Sequence, residues 1–147
     1  MELISINEQL SDNVQRPDDL EYQAALIASV NYYKVIGFQP PWLCYFVSNN
    51  GELIGSAGYK GKPVNGRVEI AYGTFERYRS KGLGAQICAL LVDTALKADA
   101  SVSITARTLP EENHSTKILR RNAFELAGPV IDPDDGEVWE WIYIGPR

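Results

Sequence analysis

The stretch best suited to chemistry is a short basic segment that carries two glycines, Arg79-Ser80-Lys81-Gly82-Leu83-Gly84-Ala85. It follows an apolar, strand-like run at 68–75 and leads into a helical run at 86–98. A helix N-terminus presents free backbone N–H groups and the positive end of the helix dipole, and both attract anions. Gly82 and Gly84 have no Cβ atom, so a phosphate can come close to the main chain. The segment, called the cradle below, therefore predicts a site for the pyrophosphate of a cofactor.

Two other glycine motifs do not fit the cradle or its neighbourhood. The dinucleotide-binding fingerprint needs a third glycine where Ile87 stands, and it normally follows the first strand of a parallel sheet. A P-loop needs Gly-Lys followed by Ser or Thr, whereas Gly61-Lys62 is followed by Pro63. The cradle therefore belongs to a different class of phosphate site.

The best candidate for a general base is Glu69, which lies in the strand-like run before the cradle. Side chains alternate along a strand, so Glu69 shares a face with Ala71 and Gly73, two small residues that leave room for a ligand. A carboxylate in such a cleft can accept a proton through water. The alternative is a Glu that forms an ion pair with a neighbouring Arg or Lys. His114, the only histidine, stands beside a predicted helix N-cap, where we expect it to be exposed.

The first element that must position these residues is a helix in the first third of the chain, after a short strand around residues 3–6. Asp18 or Asp19 caps its start, and the pattern continues to about Lys34. Its apolar residues recur at three- and four-residue spacing and form one stripe, made of Leu20, Ala24, Ile27, Val30 and Tyr33 or Lys34.

The remaining elements predict a mixed sheet. A meander of three antiparallel strands is indicated by β-rich runs joined by Asn-Gly turns, at 42–47, 52–59 and 67–75. Helices and strands then alternate, with helices at 83–98 and 114–122 and strands at 101–107, 125–131 and 137–144. An antiparallel half followed by a β-α-β crossover predicts an α+β fold whose mixed sheet carries helices on its faces.

Composition limits both the architecture and the partners. The 147 residues are 45% hydrophobic and 22% charged, which suits one domain that spans residues 1–147. A net charge of -5 argues against nucleic acid or an anionic membrane as the main partner. No run approaches the roughly 18 apolar residues of a membrane span, and no signal-peptide pattern is present, so we expect a cytoplasmic protein. Cys44 and Cys88 lack the spacing of a metal site or a disulfide scaffold, and we expect two reduced core thiols.

The pattern R-x-x-G-x-G, made by Arg79, Gly82 and Gly84, resembles motif A of the GNAT superfamily of acyl-CoA-dependent N-acyltransferases. The run at 113–124 resembles the N-x-S-x-x-x-L-x-K-N-G-F signature of the branch related to ribosomal-protein N-terminal acetyltransferases. Ala123 stands where that signature has glycine. With the upstream run at 69–72 and the order of elements, the resemblance covers about residues 42–144.

The resemblance implies a GNAT-like three-layer fold with a mostly antiparallel, partly splayed mixed sheet of six to seven strands and helices on both faces. It implies acetyl-CoA as cofactor, held through Thr74, Phe75, Arg79, Ser80, Lys81, Gly82, Leu83, Gly84, Ala85 and Asn113. Its implied catalytic residues are Glu69, at an acidic position frequent in the family, and Ser115, close to the thiol. The alternatives are a solvated loop for Arg79 and Lys81, and helix capping for Asn113 and Ser115.

The function implied is transfer of an acetyl group from acetyl-CoA to a primary amine of a small molecule or a peptide N-terminus, by direct attack. The Tyr that often serves as general acid in this family is absent, because Ile118 and Leu119 occupy its region. Ser115, Tyr72 or water is left as proton donor, or the thiolate leaves unaided. The missing Tyr also keeps a non-catalytic acyl-CoA-binding sensor as the alternative. The last strand, apolar on both sides, suggests pairing with another subunit in a homodimer.

Overall fold

Seven strands and three α-helices make up the chain, and a computed structural model describes all of its residues, 1–147. The strands are β1 (Glu2–Ser5), β2 (Cys44–Asn49), β3 (Glu52–Tyr59), β4 (Arg67–Thr74), β5 (Ser103–Thr108), β6 (Phe124–Asp132) and β7 (Gly136–Tyr143). The helices are α1 (Leu20–Ile36), α2 (Leu83–Ala98) and α3 (His114–Arg121), with short 3₁₀ turns at Leu10–Asp12 and Glu76–Tyr78. None of the helices has the length and apolar character needed to cross a bilayer.

All seven strands form one mixed sheet in the order β1-β2-β3-β4-β5-β7-β6. The first four strands pair antiparallel, β4 and β5 pair in parallel across the α2 crossover, and β5, β7 and β6 are again antiparallel. The predicted mixed, mostly antiparallel sheet is therefore confirmed. Because β7 lies between β5 and β6, both of its edges are hydrogen-bonded within the chain. The suggestion that this strand pairs edge to edge with another subunit is wrong, whereas the homodimer itself stays a prediction. The apolar character of β7 on both sides reflects its interior place in the sheet.

The two halves of the sheet separate along β4. This strand pairs with β3 as far as Thr74, but it pairs with β5 only over Arg67–Glu69. Beyond Glu69, β4 therefore has a free edge on its β5 side. This opening between β4 and β5, called the gap below, confirms the predicted splay.

Backbone hydrogen bonds show which residues of β4 face the gap. The Lys60 N–H donates to the Glu69 carbonyl (2.9 Å), and the Phe75 N–H donates to a carbonyl of β3 (2.8 Å). Odd-numbered residues of β4 therefore direct their main-chain groups toward β3. Since the direction alternates along a strand, Tyr72 and Thr74 direct theirs into the gap.

Helices cover both faces of the sheet. Tyr22 of α1 stacks on Phe46 of β2 with ring centroids 4.5 Å apart. Tyr45, the neighbour of Phe46, points to the opposite face, where it contacts Tyr59 at 6.4 Å between centroids. The Tyr59 hydroxyl donates to the Leu91 carbonyl of α2 (2.7 Å). Thus α1 and α2 lie on opposite faces of the sheet, which confirms the layered arrangement.

The apolar stripe predicted for α1 is only partly the buried one. The helix buries Tyr22, Leu26, Val30 and Tyr33, whereas Leu20 and Ile27 are 80% and 43% exposed. Apolar residues occur around most of the helix, so their spacing does not select a face. Hydrogen bonds favour the tyrosine side, because the Tyr33 hydroxyl can reach the Ile6 carbonyl (2.7 Å) and be buried at little cost.

Candidate functional site

The N-terminus of α2 differs from those of the other two helices. The Asp19 side chain caps α1 by accepting from the Tyr22 N–H, and the Asn113 side chain caps α3 by accepting from the Thr116 N–H. Helix α2 starts after Gly82, with no side-chain cap and no acidic residue in its first turn. Gly82 adopts φ +75°, a conformation that favours glycine. The first-turn N–H groups of α2 are therefore available to an external acceptor.

These N–H groups border a cleft of about 450 Å³ between the end of β4, the start of α2 and the start of α3. We call it the cradle cleft. Seven of the predicted cofactor-binding and catalytic residues line it: Thr74, Arg79, Ser80, Gly82, Leu83, Gly84 and Ser115. A Cβ atom on Gly84 would lie only 2.9 Å from Cδ1 of Ile118 in α3, so the glycine allows the two helices to approach closely beside the cleft.

Arg79 combines a fixed position with free donors. Its Nε donates to the Thr74 carbonyl (3.1 Å), which ties the guanidinium to the end of β4. Its terminal nitrogens make no hydrogen bond or ion pair within the chain. The side chain thus offers positive charge and N–H donors beside the uncapped helix end.

Two other predicted cofactor residues point elsewhere. The Phe75 N–H is occupied by the Ile54 carbonyl, and its ring packs toward Phe46 at 6.5 Å. Lys81 is exposed and lies over the ring of Tyr78, with Nζ 5.9 Å from the centroid. Neither of the two side chains lines the cradle cleft.

The last two predicted contacts act in holding the helices. Asn113 forms a capping box with Thr116, in which each side chain accepts a hydrogen bond from the backbone N–H of the other residue, so the capping role is present. The Ala85 carbonyl accepts from Nδ2 of Asn122 (3.1 Å), a bond that ties α2 to the end of α3. Asn113 and Ala85 do not line the cradle cleft and instead fix the helices that do.

The cleft also contains residues that the sequence did not single out as ligands. They are Gly73, Tyr78, His114 and Ile118. His114 is exposed as expected, yet it borders the cleft. Helical spacing could have found His114 and Ile118, since residues four apart lie on one face of a helix and Ser115 is adjacent. Tyr78 precedes Arg79 in an isolated 3₁₀ turn, for which the sequence carries no strong signal.

Glu69 borders a smaller opening of about 130 Å³ at the gap, which we call the gap cleft. Lys60, Arg107, Tyr72 and Ser115 also line it. Tyr72 and Ser115 border the cradle cleft as well. The gap cleft therefore adjoins the cradle cleft.

Glu69 is ion-paired on both carboxylate oxygens. Nζ of Lys60 lies 2.5 Å from its Oε2, and Nε of Arg107 lies 3.6 Å from its Oε1. The ion-paired alternative considered for Glu69 is thus present in the structure. Partial burial alone would lower the pKa of Lys60, but the hydrogen bond and the charge of Glu69 outweigh it, and the pKa of Lys60 is raised. Lys60 therefore keeps its positive charge at neutral pH, beside the Glu69 carboxylate.

A second carboxylate stabilises Arg107 in this network. Asp132 accepts from Nη1 of Arg107 (2.7 Å) and from the backbone N–H groups of Asp134 and Asp135. The backbone bond from Asp134, followed by the Arg107 bond and the backbone bond from Asp135, holds the pKa of Asp132 at about 2. Arg107 is thereby held between Asp132 and Glu69.

A third opening lies on the α1 face of the sheet. This α1-side groove measures about 360 Å³ and includes Ser29 and Tyr32 of α1 with Lys60, Ala71 and Gly73. Lys60 and Ala71 border the gap cleft as well. The three openings therefore adjoin one another, from the helix end of α2, across the gap, to the groove on the opposite face.

Tyr72 lines all three openings, but its hydroxyl is poorly suited to ionise. Burial, and then the adjacent Cys88 thiol, raise the pKa of Tyr72. Burial likewise raises the pKa of the Cys88 thiol to about 11. Both groups keep their protons at neutral pH, and the buried Cys88 is free rather than in a disulfide.

A mixed sheet that splays at β4, beside an uncapped glycine-rich helix start, is the architecture that the motif resemblance predicted. Residues 5–125 match the family model described as the acetyltransferase (GNAT) domain. The chain therefore belongs to the GNAT acetyltransferase family, whose members take acetyl-CoA as acyl donor.

Individual relatives agree with this assignment. The chain is 30% identical over 97 residues to the uncharacterized N-acetyltransferase YjdG of Bacillus subtilis (strain 168), an alignment that spans 65% of this chain and 55% of that relative. An aminoglycoside acetyltransferase AAC(6')-Ib in complex with coenzyme A and kanamycin superposes with a TM-score of 0.63 at 22% identity, over 79% of this chain and 75% of that one. The ribosomal L7/L12 alpha-N-protein acetyltransferase RimL, in complex with coenzyme A, gives 0.66 at 15% identity, over 97% and 92%. At these identities the solved structures show that the fold is shared.

Proposed function

We propose that the chain is an acetyl-CoA-dependent N-acetyltransferase that acetylates a primary amine of a small molecule or a peptide N-terminus. The observation that carries the proposal is the uncapped N-terminus of α2, which borders a cleft that adjoins a second opening at the gap in the sheet. An anion at one end and an acyl group at the other suit a long cofactor with a charged head and a reactive tail. Family membership supports the same function.

The proposed cofactor contacts follow from the geometry of the cradle cleft. The first-turn N–H groups of α2 and the charge of Arg79 hold the pyrophosphate, with Ser80, Gly82, Leu83 and Gly84 forming the surface it meets. The gap-facing main-chain groups of Tyr72 and the Thr74 N–H hydrogen-bond the pantetheine arm as an added strand would. When bound, acetyl-CoA supplies an acetyl group activated as a thioester.

The acceptor amine is proposed to enter from the α1-side groove. Glu69 borders the gap cleft, and its ion-pair partner Lys60 lines both that cleft and the groove. The Glu69 carboxylate therefore attracts an ammonium group that enters from the groove and takes up a proton directly or through water. Ser115, which borders both the cradle cleft and the gap cleft, donates a hydrogen bond to the departing sulfur. Positioning of the two reactants at one gap contributes much of the rate. The aminoglycoside and ribosomal-protein acetyltransferases among the relatives suggest polyamine-like small molecules and peptide N-termini as the first acceptors to test.

The test combines cofactor binding with turnover. Calorimetry with coenzyme A should show one site per chain, and thiol release from acetyl-CoA should rise with at least one amine in a panel of aminoglycosides, polyamines and short peptides. ATP and NAD serve as control ligands and should not bind. Binding of ATP or NAD instead of coenzyme A would contradict the proposal.

A second candidate, a non-catalytic acyl-CoA-binding sensor, is favoured by the ion pairing of Glu69. The region of α3 where a general acid is usual also holds the buried Ile118 and Leu119. A sensor predicts coenzyme A binding without turnover of any amine. It also predicts that Glu69→Gln leaves the biological effect intact, whereas Gly84→Glu, which fills the cradle, abolishes it.

A further inference from the structure

We propose that Lys60 is a self-acetylation site, at which the protein transfers the acetyl group of its own bound acetyl-CoA to the Lys60 side chain. The inference rests on the proposed function, because it uses the same cofactor and the same path through the gap. It assigns to Lys60 a covalent modification that precedes or competes with turnover of an external amine.

The position of Lys60 carries the proposal. Its ammonium group contacts Glu69, the candidate base, at 2.5 Å. Lys60 borders both the gap cleft and the α1-side groove, the two openings that an acyl donor and an acceptor must share. Of the groups that line the gap cleft, it is the only primary amine. Lys60 therefore occupies the place that the mechanism requires of an acceptor.

The reaction balances without any further reactant. The Lys60 ammonium first loses one proton to Glu69 or to water, and its neutral nitrogen attacks the thioester carbonyl. A C–N bond forms, the C–S bond breaks, and a second proton from nitrogen passes to the departing thiolate. The products are an amide on Lys60, free coenzyme A and one released proton.

The charges around Lys60 make this reaction slow at neutral pH. Glu69 on β4, Asp132 on β6 and Tyr32 on α1 face the lysine and favour its charged form, whereas partial burial opposes it. Arg107 on β5 shares the same carboxylates. The pKa of Lys60 is raised as a result, so the neutral amine is scarce and its fraction grows with pH. We therefore expect modification over many minutes, with a rate that increases between neutral and mildly alkaline pH.

Lys62 provides a matched control on the same turn. It lies two residues after Lys60, it is exposed, and it contacts no carboxylate and lines none of the three openings. Non-enzymatic acetylation by acetyl-CoA should favour this freely accessible lysine. Faster acetylation of Lys60 than of Lys62 would thus be the reverse of the order expected for non-enzymatic acetylation.

The experiment incubates the purified protein with acetyl-CoA and no acceptor, followed by peptide mass spectrometry. We expect Lys60 to be acetylated at least 10-fold more than Lys62, with a first-order rate that does not change when the protein is diluted. Excess coenzyme A should reduce Lys60 acetylation to the level of Lys62. A second readout needs no acyl transfer: coenzyme A should protect Lys60, and not Lys62, from brief labelling with isotopically marked acetic anhydride.

Equal acetylation of the two lysines, a rate that scales with protein concentration, or insensitivity to coenzyme A would overturn the inference. Its failure differs from failure of the proposed function. If coenzyme A binds and an external amine is acetylated while Lys60 stays unmodified, only the inference fails. If coenzyme A does not bind at all, the proposed function fails with it.

Discussion

Arg79 gives the sharpest test of how the cradle binds its ligand. Its guanidinium is tethered to the Thr74 carbonyl and its terminal nitrogens have no partner in the chain. A hydrogen bond to a charged group contributes about 1.5–3 kcal/mol. At tenfold per roughly 1.4 kcal/mol, Arg79→Gln should weaken coenzyme A binding by about 10- to 150-fold.

Arg77 supplies the control for this experiment. It belongs to the same basic segment, but its guanidinium lies over the Tyr78 ring, 5.0 Å from the centroid, and outside the cradle cleft. Arg77→Gln removes the same charge and should change affinity by less than about threefold, because Arg77 does not border the cleft and an exposed charge without a direct contact is weakened by solvent and salt. Calorimetry at two salt concentrations measures both effects.

A truncated donor separates pyrophosphate recognition from general damage. Acetyl-pantetheine has no pyrophosphate, so its kcat/KM should be the same in Arg79→Gln and in the unmodified protein. If the Arg79→Gln and Arg77→Gln variants lose the same amount of coenzyme A affinity, only net charge matters. An equal loss with acetyl-pantetheine would show that Arg79 acts by holding the end of β4, and either result would refute our account of the cradle.

Three further outcomes are expected. Ala123 has a φ angle of +62°, a left-handed conformation that costs a non-glycine residue about 1–2 kcal/mol. Ala123→Gly removes this cost but makes the unfolded chain more flexible, so the free energy of unfolding in urea should rise by about 0.5–1 kcal/mol. A fall in the free energy of unfolding would contradict this. Asp132 has a folded pKa of about 2 against an ordinary 3.8, so its stabilising effect is complete above pH 3.8 and lost as the pH falls toward 2. Asp132→Asn should flatten the pH dependence of the melting temperature between those two pH values. If the melting temperature of the variant falls as steeply with acid as that of the unmodified protein, the network with Arg107 does not stabilise the fold. Burial raises the pKa of the thiols of Cys44 and Cys88, so a disulfide reagent at neutral pH should label both more slowly in the native protein than in urea. The buried Cys88 should react more slowly than the half-buried Cys44, and the opposite order would contradict this.

Local signals predicted the elements around the site well. The bounds of β3 and α2 agree with the prediction, and the Asn50-Gly51 turn has the two positive φ angles that its sequence requires. These elements are defined by turn residues and by one strong periodicity. The buried face of α1 was not predictable in the same way, because apolar residues lie around most of that helix and the Tyr33 hydrogen bond to Ile6 joins distant segments.

The same difference between local and long-range signals applies to the candidate site. The uncapped start of α2 was predictable from the sequence, because Gly82 and Gly84 mark it. The partners of Glu69 were not visible, because Lys60 and Arg107 come from β3's end and from β5 and meet only when the sheet forms. Asn113 was singled out by its place in the downstream motif. Its side-chain oxygen caps α3, and a contact between its amide N–H groups and a ligand stays a prediction.

The unequal pairing of β4 has a consequence for amide hydrogen exchange. Tyr72 and Thr74 direct their N–H groups into the gap, whereas those of Ala71 and Gly73 point toward β3. Exchange in the free protein should therefore alternate along a single strand, fast at 72 and 74 and slow at 71 and 73. A ligand that completes the strand edge would abolish the alternation. Loss of the alternation at each residue would therefore report that the gap is occupied beside that residue, independently of any chemistry at Glu69.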